Sequence, residues 1–292
     1  MLDVRRLRLL RELANRETIT AVAEALSYTP SAVSQQLTAL EREAGVPLLV
    51  RTGRRVTLTP TGAWLVRKSE VVFTALAEVD AELARIAGQL TGTLRIGVFP
   101  TAVRAMLTPA LVALSRDHPD LELRVTELDP ATAPDALRAE TLDIALVQDY
   151  DHVPASPDPA LDTDPLLRET IYLAATAEGA LDDHRDQPWI LATPGTLCHA
   201  MTVRACEAAG FTPRARHIAD DFGTVLALVA ACQGVALVPE LGAGQPPDGV
   251  VLTPLPLARV TRLAYRRGTG DHPVVAAGRS ALRTAAALVT RG

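Results

Sequence analysis

The chain has 292 residues, of which 48% are hydrophobic and 22% are charged. These values are typical of a soluble globular protein and exclude a disordered, collagen-like or low-complexity chain, and the length predicts two globular units. No apolar run follows a basic start, so no secretory signal is expected and the cytoplasm is the predicted location. The three cysteines, Cys198, Cys206 and Cys232, form no C-x-x-C pair, which argues against a disulfide framework and against a zinc site.

Charge is distributed unevenly along the chain. Residues 1–70 carry eleven basic and seven acidic side chains, a net charge of +4, whereas the remainder carries 18 and 27, a net charge of −9. A basic first quarter attached to an acidic body predicts that the N-terminal segment contacts a polyanion.

The first 58 residues have the pattern of three short helices followed by a hairpin. The third helix is marked most clearly, because Thr29 and Pro30 form an N-cap and N1 pair and Gly45 is a C-terminal cap. Only three residues separate Pro30 from Leu26, the last apolar residue of the second helix, so these two helices form a helix-turn-helix. The core face of the third helix consists of Val33, Leu37, Leu40 and Ala44.

The opposite face of the third helix carries polar side chains at the same spacing. Ser, Thr and Gln can donate to and accept from base edges in the major groove, and none of them brings a carboxylate close to phosphate. Such a face is also compatible with an ordinary solvated helix. As a recognition helix, it would use Ser31, Ser34, Gln35, Thr38 and Arg42 as candidate DNA-binding residues.

The segment after this helix favours DNA. Residues 48–59 (LLVRTGRRVTLT) have two β-rich halves around Thr52 and Gly53, which predicts a hairpin. Its tip carries Arg51, Arg54 and Arg55, which could contact phosphates or the minor groove, although a solvated turn would show the same charges. Helix and hairpin together predict a winged helix-turn-helix that binds double-stranded DNA.

A long helix is predicted from Pro60 to Gly88, roughly 43 Å at 1.5 Å per residue. Its apolar residues recur every seven positions in two series, which is typical of a helix that pairs with a second helix. The alternative is that this stripe docks on its own chain. The dimer seam is predicted to comprise Leu65, Val72, Leu76, Val79, Leu83 and Ile86.

From residue 93 the pattern alternates between strands and helices, which predicts a largely parallel sheet with helices on its faces. A segment rich in proline and aspartate at 149–165 divides it into two α/β units. The uncharged run 222–239 is interpreted as a helix followed by a buried strand, and not as a membrane span. Strands are predicted at 93–99, 121–128, 143–147, 169–177, 189–193, 235–238 and 260–265, and helices at 102–116, 134–141, 198–209, 222–232 and 272–290.

The segment 26–62, LSYTPSAVSQQLTALEREAGVPLLVRTGRRVTLTPTG, resembles the DNA-binding region of the LysR-type transcriptional regulators. Weaker similarity covers the whole chain, in TLRIG at Thr93, DIALV at Asp143, CEAAG at Cys206 and GVALVPE at Gly234. Leu49 departs from the family, which usually has phenylalanine there. The matching positions are residues 31–34, Leu40, Glu41, Gly45, Val46, Leu48, Arg51 and the turn from Leu58 to Gly62.

The resemblance implies an α/β protein with an all-α, winged N-terminal domain, a linker helix for dimerisation, and a two-lobed effector domain similar to type 2 periplasmic binding proteins. The expected domains are 1–59, 60–90 and 91–292, with lobe one at about 91–155 plus 267–292 and lobe two at about 156–266. The chain is expected to cross between the lobes near 149–165 and 260–268. The implied function is a sequence-specific DNA-binding regulator that binds an inverted-repeat operator as a homodimer or homotetramer and responds to a small effector.

The effector site is expected between the lobes. The strands that end at Phe99 and Thr193 each lead into a helix start, and free N–H groups at helix N-termini suit a carboxylate or phosphate. This reasoning predicts a small, anionic effector, although both threonine hydroxyls could be plain helix caps. The candidate effector-binding residues are Pro100, Thr101, Thr193, Gly195 and Thr196.

Other functional classes lack their sequence signals. The chain contains no G-x-S-x-G, H-E-x-x-H, P-loop or G-x-G-x-x-G motif, so no enzyme, cofactor or metal is predicted. Asp149, Asp151 and His152 are interpreted as an acidic solvated hinge because a metal site would need further ligands. A solute-binding protein would not carry a basic helix-turn-helix.

A thiol-based redox sensor is the remaining alternative within the family, because its peroxide-sensing members carry two reactive cysteines in the region of Cys198 and Cys206. On one helix, eight residues separate these thiols by about 12 Å, beyond the roughly 7 Å limit for a disulfide. Oxidation would therefore require local unfolding, and the other interpretation is that both are buried apolar thiols.

Overall fold

The computed structural model describes residues 1–52, 55–88, 90–154 and 157–289. The predicted helix-turn-helix and hairpin are confirmed: the hydroxyl of Thr29 accepts a hydrogen bond from the amide of Ala32, and Gly45 ends the third helix at a φ of 69°. The N-terminal elements are α1 (Val4–Arg16), α2 (Ile19–Ala25), α3 (Pro30–Ala44), β1 (Leu49–Thr52) and β2 (Arg55–Leu58).

Two residues of the family signature hold the hairpin on the helices. A carboxylate oxygen of Glu41, in α3, accepts hydrogen bonds from the backbone amides of Leu48 and Leu49 at 2.9 and 3.0 Å. A Cβ added to Gly62 would lie 2.2 Å from the carbonyl oxygen of Leu48, so no other residue fits there without moving the backbone. The start of the hairpin is therefore fixed from both sides.

The long helix α4 (Pro60–Ala87) ends at Gly88, as predicted. One of its faces packs against its own chain: a Cβ on Gly268 would lie 2.6 Å from the carbonyl oxygen of Thr74 and 3.2 Å from the Cβ of Ala77. Ala81, one turn further along this face, is buried.

The remaining chain forms two α/β lobes. Their elements are β3 (Gly92–Val98), α5 (Pro100–Ala102), α6 (Thr108–Asp117), β4 (Leu121–Glu127), α7 (Ala133–Arg138), β5 (Ile144–Tyr150), β6 (Leu161–Ala175), β7 (Pro188–Leu191), α8 (Leu197–Ala208), β8 (Arg214–Ile218), α9 (Phe222–Ala230), β9 (Ala236–Pro239), α10 (Glu240–Ala243), β10 (Val251–Arg266) and α11 (Pro273–Val289). Lobe one is built on β3, β4 and β5 with α6, α7 and α11, and lobe two on β7, β8 and β9 with α8 and α9. A π-helical turn, Val103–Leu107, joins α5 to α6.

The main sheet has the strand order β4-β3-β5-β10-β6-β9. Strand β3 is parallel to β4 and β5, but β10 is antiparallel to both β5 and β6, and β6 is antiparallel to β9. The prediction of a largely parallel sheet is therefore wrong for β10, β6 and β9, whose pairings are all antiparallel. A parallel two-stranded sheet, β7 with β8, completes lobe two.

Two strands of 15 and 16 residues, β6 and β10, run side by side and carry the chain between the lobes. The sequence predicted only their C-terminal parts, at 169–177 and 260–265, because prolines interrupt both strands. In the structure, the pairing of β10 with β6 is irregular between Pro254 and Ala258 and again between Thr261 and Arg262, whose partner is Pro165. Proline lacks the N–H of a regular ladder and is tolerated at such irregularities.

Each of these units has a main hydrophobic core among the described residues. The N-terminal core contains Val33, Leu37 and Leu40, the predicted core face of α3, whereas Ala44 packs against its edge. The core of lobe one lies between the sheet and α6 and α11, and the core of lobe two surrounds the fully buried Trp189. Among the described residues, no helix is both long and apolar enough to span a membrane.

Candidate DNA-binding surface and inter-lobe cleft

The predicted recognition face lies on the solvent side of α3. Ser31, Gln35 and Arg42 are exposed, and Ser34 and Thr38 are half-buried. The hydroxyl of Thr38 donates to the carbonyl oxygen of Ser34 at 3.0 Å, so it can serve a base only as an acceptor. The face therefore offers three accessible hydrogen-bonding side chains along about three turns of helix.

An aromatic side chain that sequence reasoning missed lies beside this face. Tyr28, in the turn before α3, is 47% exposed although it is large and apolar. The sequence did contain a signal for it, because Tyr28 comes just before the N-terminus of a helix with a polar face. Recognition helices contact bases with their N-terminal residues.

Two of the three arginines of the predicted wing lie in the described strands. Arg51 lies in β1 opposite Val56, and Arg55 lies in β2 opposite Thr52. Arg54 is outside the described residues. The predicted hairpin is thus present as an antiparallel pair of strands that follows the recognition helix.

Most of the predicted dimer seam is open to solvent on α4. At 100° per residue, its exposed members point away from the face that contains Thr74 and Ala77 and packs against Gly268. Leu65 differs, because it is buried in the N-terminal core and is not available to a partner. The exposed seam consists of Val72, Leu76, Val79, Leu83 and Ile86.

A cavity of about 270 Å³ lies between the lobes. Its floor is formed by the side chains of Thr101, Gln148, Tyr150 and Arg259, all of which are buried. Arg259 of β10 is opposite Glu169 of β6 on one side and opposite Tyr150 of β5 on the other. The register of three neighbouring strands therefore brings these side chains together where β6 and β10 pass between the lobes.

Arg259 is the centre of a buried hydrogen-bond network. Its guanidinium donates to Glu169 at 2.7 Å, to the side-chain oxygen of Gln148 at 3.3 Å and to the hydroxyl of Thr101 at 3.1 Å. Burial opposes the charge, but the hydrogen-bonded carboxylate of Glu169 outweighs it, and the pKa of Arg259 is raised. Burial also raises the pKa of Tyr150, which is therefore a neutral phenol.

The structure brings only some of the predicted effector-binding residues to the cavity. Pro100, Thr101 and Thr196 line it, whereas Thr193 and Gly195 are not among its lining residues. The hydroxyl of Thr196 accepts from the amide of His199 at 3.2 Å and donates to the carbonyl oxygen of Thr193 at 2.8 Å, which is the helix-cap alternative. The hydroxyl of Thr101 already accepts a hydrogen bond from the guanidinium of Arg259.

The rim of the cavity has the opposite charge from that expected for an anionic effector. Among the described residues at the rim, one cation, Arg104, faces four carboxylates. The charge of Arg259, deeper in the cavity, is compensated by that of Glu169. Sequence reasoning missed this because the acidic side chains come from distant segments. The rim carboxylates are Glu127, Asp129, Asp220 and Asp221.

Asp149, near the end of β5, and Asp151, just after it, are engaged in an ion pair and a backbone contact. Asp149 accepts from Arg262 at 2.7 Å, and Asp151 accepts from the amide of Ala258 at 2.9 Å. Over residues 1–52, 55–88, 90–154 and 157–289, no group of three or more His, Cys, Asp or Glu side chains could hold a metal ion.

The two thiols of α8 lie in different surroundings. Cys198 lines the cavity, and burial raises its pKa to about 11. Cys206 is in the core of lobe two, where burial raises its pKa to about 12. Because the thiolate is the reactive form, neither environment resembles that of a peroxide-reactive cysteine.

We expect both α8 thiols to react slowly at neutral pH. With a pKa of about 11, only roughly one Cys198 thiol in ten thousand is ionised at pH 7. Iodoacetamide in limiting amounts should therefore label the exposed Cys232 first, as peptide mass spectrometry can measure. Rapid labelling of Cys198, or a peroxide effect on DNA binding that Cys198→Ser removes, would contradict this expectation.

Comparisons with known proteins agree with this architecture. Residues 4–63 match the family described as bacterial regulatory helix-turn-helix protein, lysR family, and residues 87–287 match the LysR substrate binding domain. Together the two matches cover nearly the whole chain.

Relatives and solved structures extend over similar lengths. The chain is 28% identical to the transcriptional dual regulator GltC of Bacillus subtilis, covering 82% of this chain and 81% of that protein. It is 30% identical to a probable hydrogen peroxide-inducible genes activator of Mycobacterium avium, covering 78% and 75%. The fold is similar to the crystal structure of full-length BenM, with a TM-score of 0.59, 22% identity, and coverage of 98% and 97%. A winged helix-turn-helix, a long linker helix and a two-lobed domain with a central cavity, matched by both family models, show that the chain belongs to the LysR-type transcriptional regulators.

Proposed function

We propose that this regulator binds an inverted-repeat operator as a homodimer, or as a homotetramer of two such dimers. Residues 1–59 would read DNA, residues 60–90 would dimerise, and residues 91–292 would bind a small effector. The observation that carries the proposal is the polar, exposed face of α3, which presents Ser31, Gln35 and Arg42 while its other face is buried. Such a face suits the major groove.

The exposed seam on α4 supports the dimer. Five large apolar side chains at alternating spacings of four and three residues form one stripe, and an isolated chain leaves them in water. Pairing of two such stripes would bury both. A two-fold dimer would then present two recognition helices to half-sites one helical turn, or a multiple of it, apart.

The cavity between the lobes is the proposed effector site. Both lobes contribute to it, so a ligand there would favour one relative arrangement of the lobes over another. An effector can alter transcription only through such a difference in affinity between two arrangements of the assembly.

The proposed roles of helix and wing predict two distinguishable kinds of variant. Gln35→Ala should relax sequence preference at one base position, with a loss of about 1–3 kcal/mol for the preferred base. Changes of Arg51, Arg54 and Arg55 to alanine should weaken all sequences alike and reduce the salt dependence of binding. Footprinting across a series of operators and salt concentrations measures both effects.

Arg116→Ala provides the control for a lost positive charge, because Arg116 is exposed on lobe one and pairs with its neighbour Asp117. It should leave affinity and preference unchanged. If Gln35→Ala retained both the affinity and the sequence preference of the original protein, α3 would not be reading this operator through the proposed face.

A further inference from the structure

The inter-lobe cavity has a floor and a rim of different chemistry, and together they indicate the class of effector. The inference rests on the proposed role of the cavity as the effector site. It concerns which charge the effector carries.

The floor contains a buried hydroxyl that makes no hydrogen bond of good geometry within the described residues. Tyr150 is 2% exposed and lines the cavity. The guanidinium of Arg259 and the thiol of Cys198 lie close to its hydroxyl, but neither makes a hydrogen bond of good geometry with it. The neighbouring Arg259 already donates to Glu169, Gln148 and Thr101. Since buried polar groups are normally paired, a ligand atom that accepts from or donates to the Tyr150 hydroxyl would complete the floor.

The rim carboxylates are oriented by neutral groups. Asp129 accepts from the amide of Ala131 at 2.8 Å, and Asp220 accepts from the amide and hydroxyl of Thr193 at 2.8 and 2.6 Å. Asp221 accepts from the amide of Thr224 at 2.8 Å. Hydrogen bonds from the Thr224 backbone and side chain lower the pKa of Asp221, so that it is ionised at neutral pH.

These hydrogen bonds hold the carboxylates in place without neutralising them. With Glu127 added, four negative charges at the rim face Arg104, the one rim cation among the described residues, while Arg259 below is paired with Glu169. A ligand carboxylate in this cavity would be repelled by the rim, whereas a positively charged nitrogen would be attracted to it. The walls between floor and rim include Phe99, Leu197 and Phe222, which suit an apolar body.

We propose that the effector is a small organic cation, an amine whose charged nitrogen lies at the acidic rim and whose opposite end carries a hydroxyl or similar polar group that hydrogen-bonds Tyr150. The apolar part of the molecule packs between the aromatic and aliphatic walls. This arrangement gives both the rim charge and the weakly paired hydroxyl of Tyr150 a partner in a single ligand.

The test uses the full chain and two matched sets of probes in titration calorimetry. The aromatic set is tyramine, its neutral alcohol 4-hydroxyphenethyl alcohol and its acid 4-hydroxyphenylacetate. The aliphatic set is 6-aminohexanol, 1,6-hexanediol and 6-hydroxyhexanoate. The amine is expected to bind at least about tenfold more tightly than the alcohol in at least one set, and the acid most weakly. Equal affinities within both sets, an acid that binds best, or no amine binding at millimolar concentration would overturn the proposal.

Variants locate the two ends of the amine. Glu127→Gln with Asp129→Asn should remove most of the preference for amine over alcohol. Glu122→Gln, on the same strand but outside the cavity, should keep it. Tyr150→Phe should abolish the difference between tyramine and phenethylamine, which lacks the phenolic hydroxyl. Retention of that difference in Tyr150→Phe would contradict the floor contact.

A cavity-filling variant distinguishes an error in the proposed charge of the effector from an error in the proposed location of its site. Ala192 lines the cavity, and Ala192→Trp should block binding of the amine. If an acid binds best and Ala192→Trp abolishes its binding, the cavity is the effector site and the cationic class is wrong. If an amine binds equally well to Ala192→Trp, the site itself lies elsewhere.

Discussion

Replacing Glu169 with glutamine is expected to destabilise the protein by about 3–5 kcal/mol, because the change leaves the buried guanidinium of Arg259 without its counter-charge. Both side chains are about 2% exposed and are 2.7 Å apart, so water cannot take over the role of the carboxylate. The free energy of unfolding from urea titrations, followed by circular dichroism, measures the effect.

A surface ion pair that involves the same two strands provides the control. Asp162, in β6, pairs with Arg267, which follows β10, at 3.1 Å, but both side chains are more than a third exposed. Asp162→Asn should cost at most about 1 kcal/mol. The double variant Glu169→Leu with Arg259→Met should lose less than the sum of the two single losses, since no charge remains buried. A Glu169→Gln protein as stable as Asp162→Asn would contradict the assigned role of the buried pair.

Placing charges in the exposed seam of α4 is expected to produce monomers. Leu76 and Val79 are 45% and 56% exposed in the single chain, so Leu76→Glu with Val79→Lys should barely affect folding but should oppose burial against a second helix. A monomer contacts one half-site at a time, and affinity for a two-site operator should fall by about 10²–10⁴-fold. Sedimentation measures the mass and footprinting measures the affinity.

The matched control places two charge changes elsewhere on α4. Glu78 and Arg85 are exposed and lie away from the apolar stripe, so Glu78→Lys with Arg85→Glu should keep the dimer. A dimer that persists in the seam variant would mean that α4 does not provide the interface.

The helix-turn-helix region of the molecule could be predicted from sequence because its signals are local. Thr29, Pro30 and Gly45 specify the ends of α3 by capping within a few residues, and the apolar repeat of α3 specifies its buried face. The same holds for the long helix α4 and for the sign of the N-terminal charge. Family resemblance added the two-lobed domain, which composition and periodicity alone indicated only as two α/β units.

Leu65 illustrates where periodicity stopped being informative. Its heptad position is the same as that of Val79, yet it is buried in the N-terminal core while Val79 is exposed. Spacing along a helix shows which residues share a face. Only tertiary packing decides whether each end of that face is buried by the same chain or left exposed. The prolines of β6 and β10 similarly hid two long strands whose partners lie far away in sequence.

The chemistry of the cavity was decided by tertiary structure alone. Tyr150, Glu169 and Arg259 are separated by many residues and meet because three strands pair in one register. The rim acids come from the end of β4 and from the start of α9, on different lobes. Helix N-termini visible in the sequence suggested an anionic effector, but the charge of a site is the sum over all segments that surround it. That sum depends on long-range contacts, which local sequence patterns do not encode.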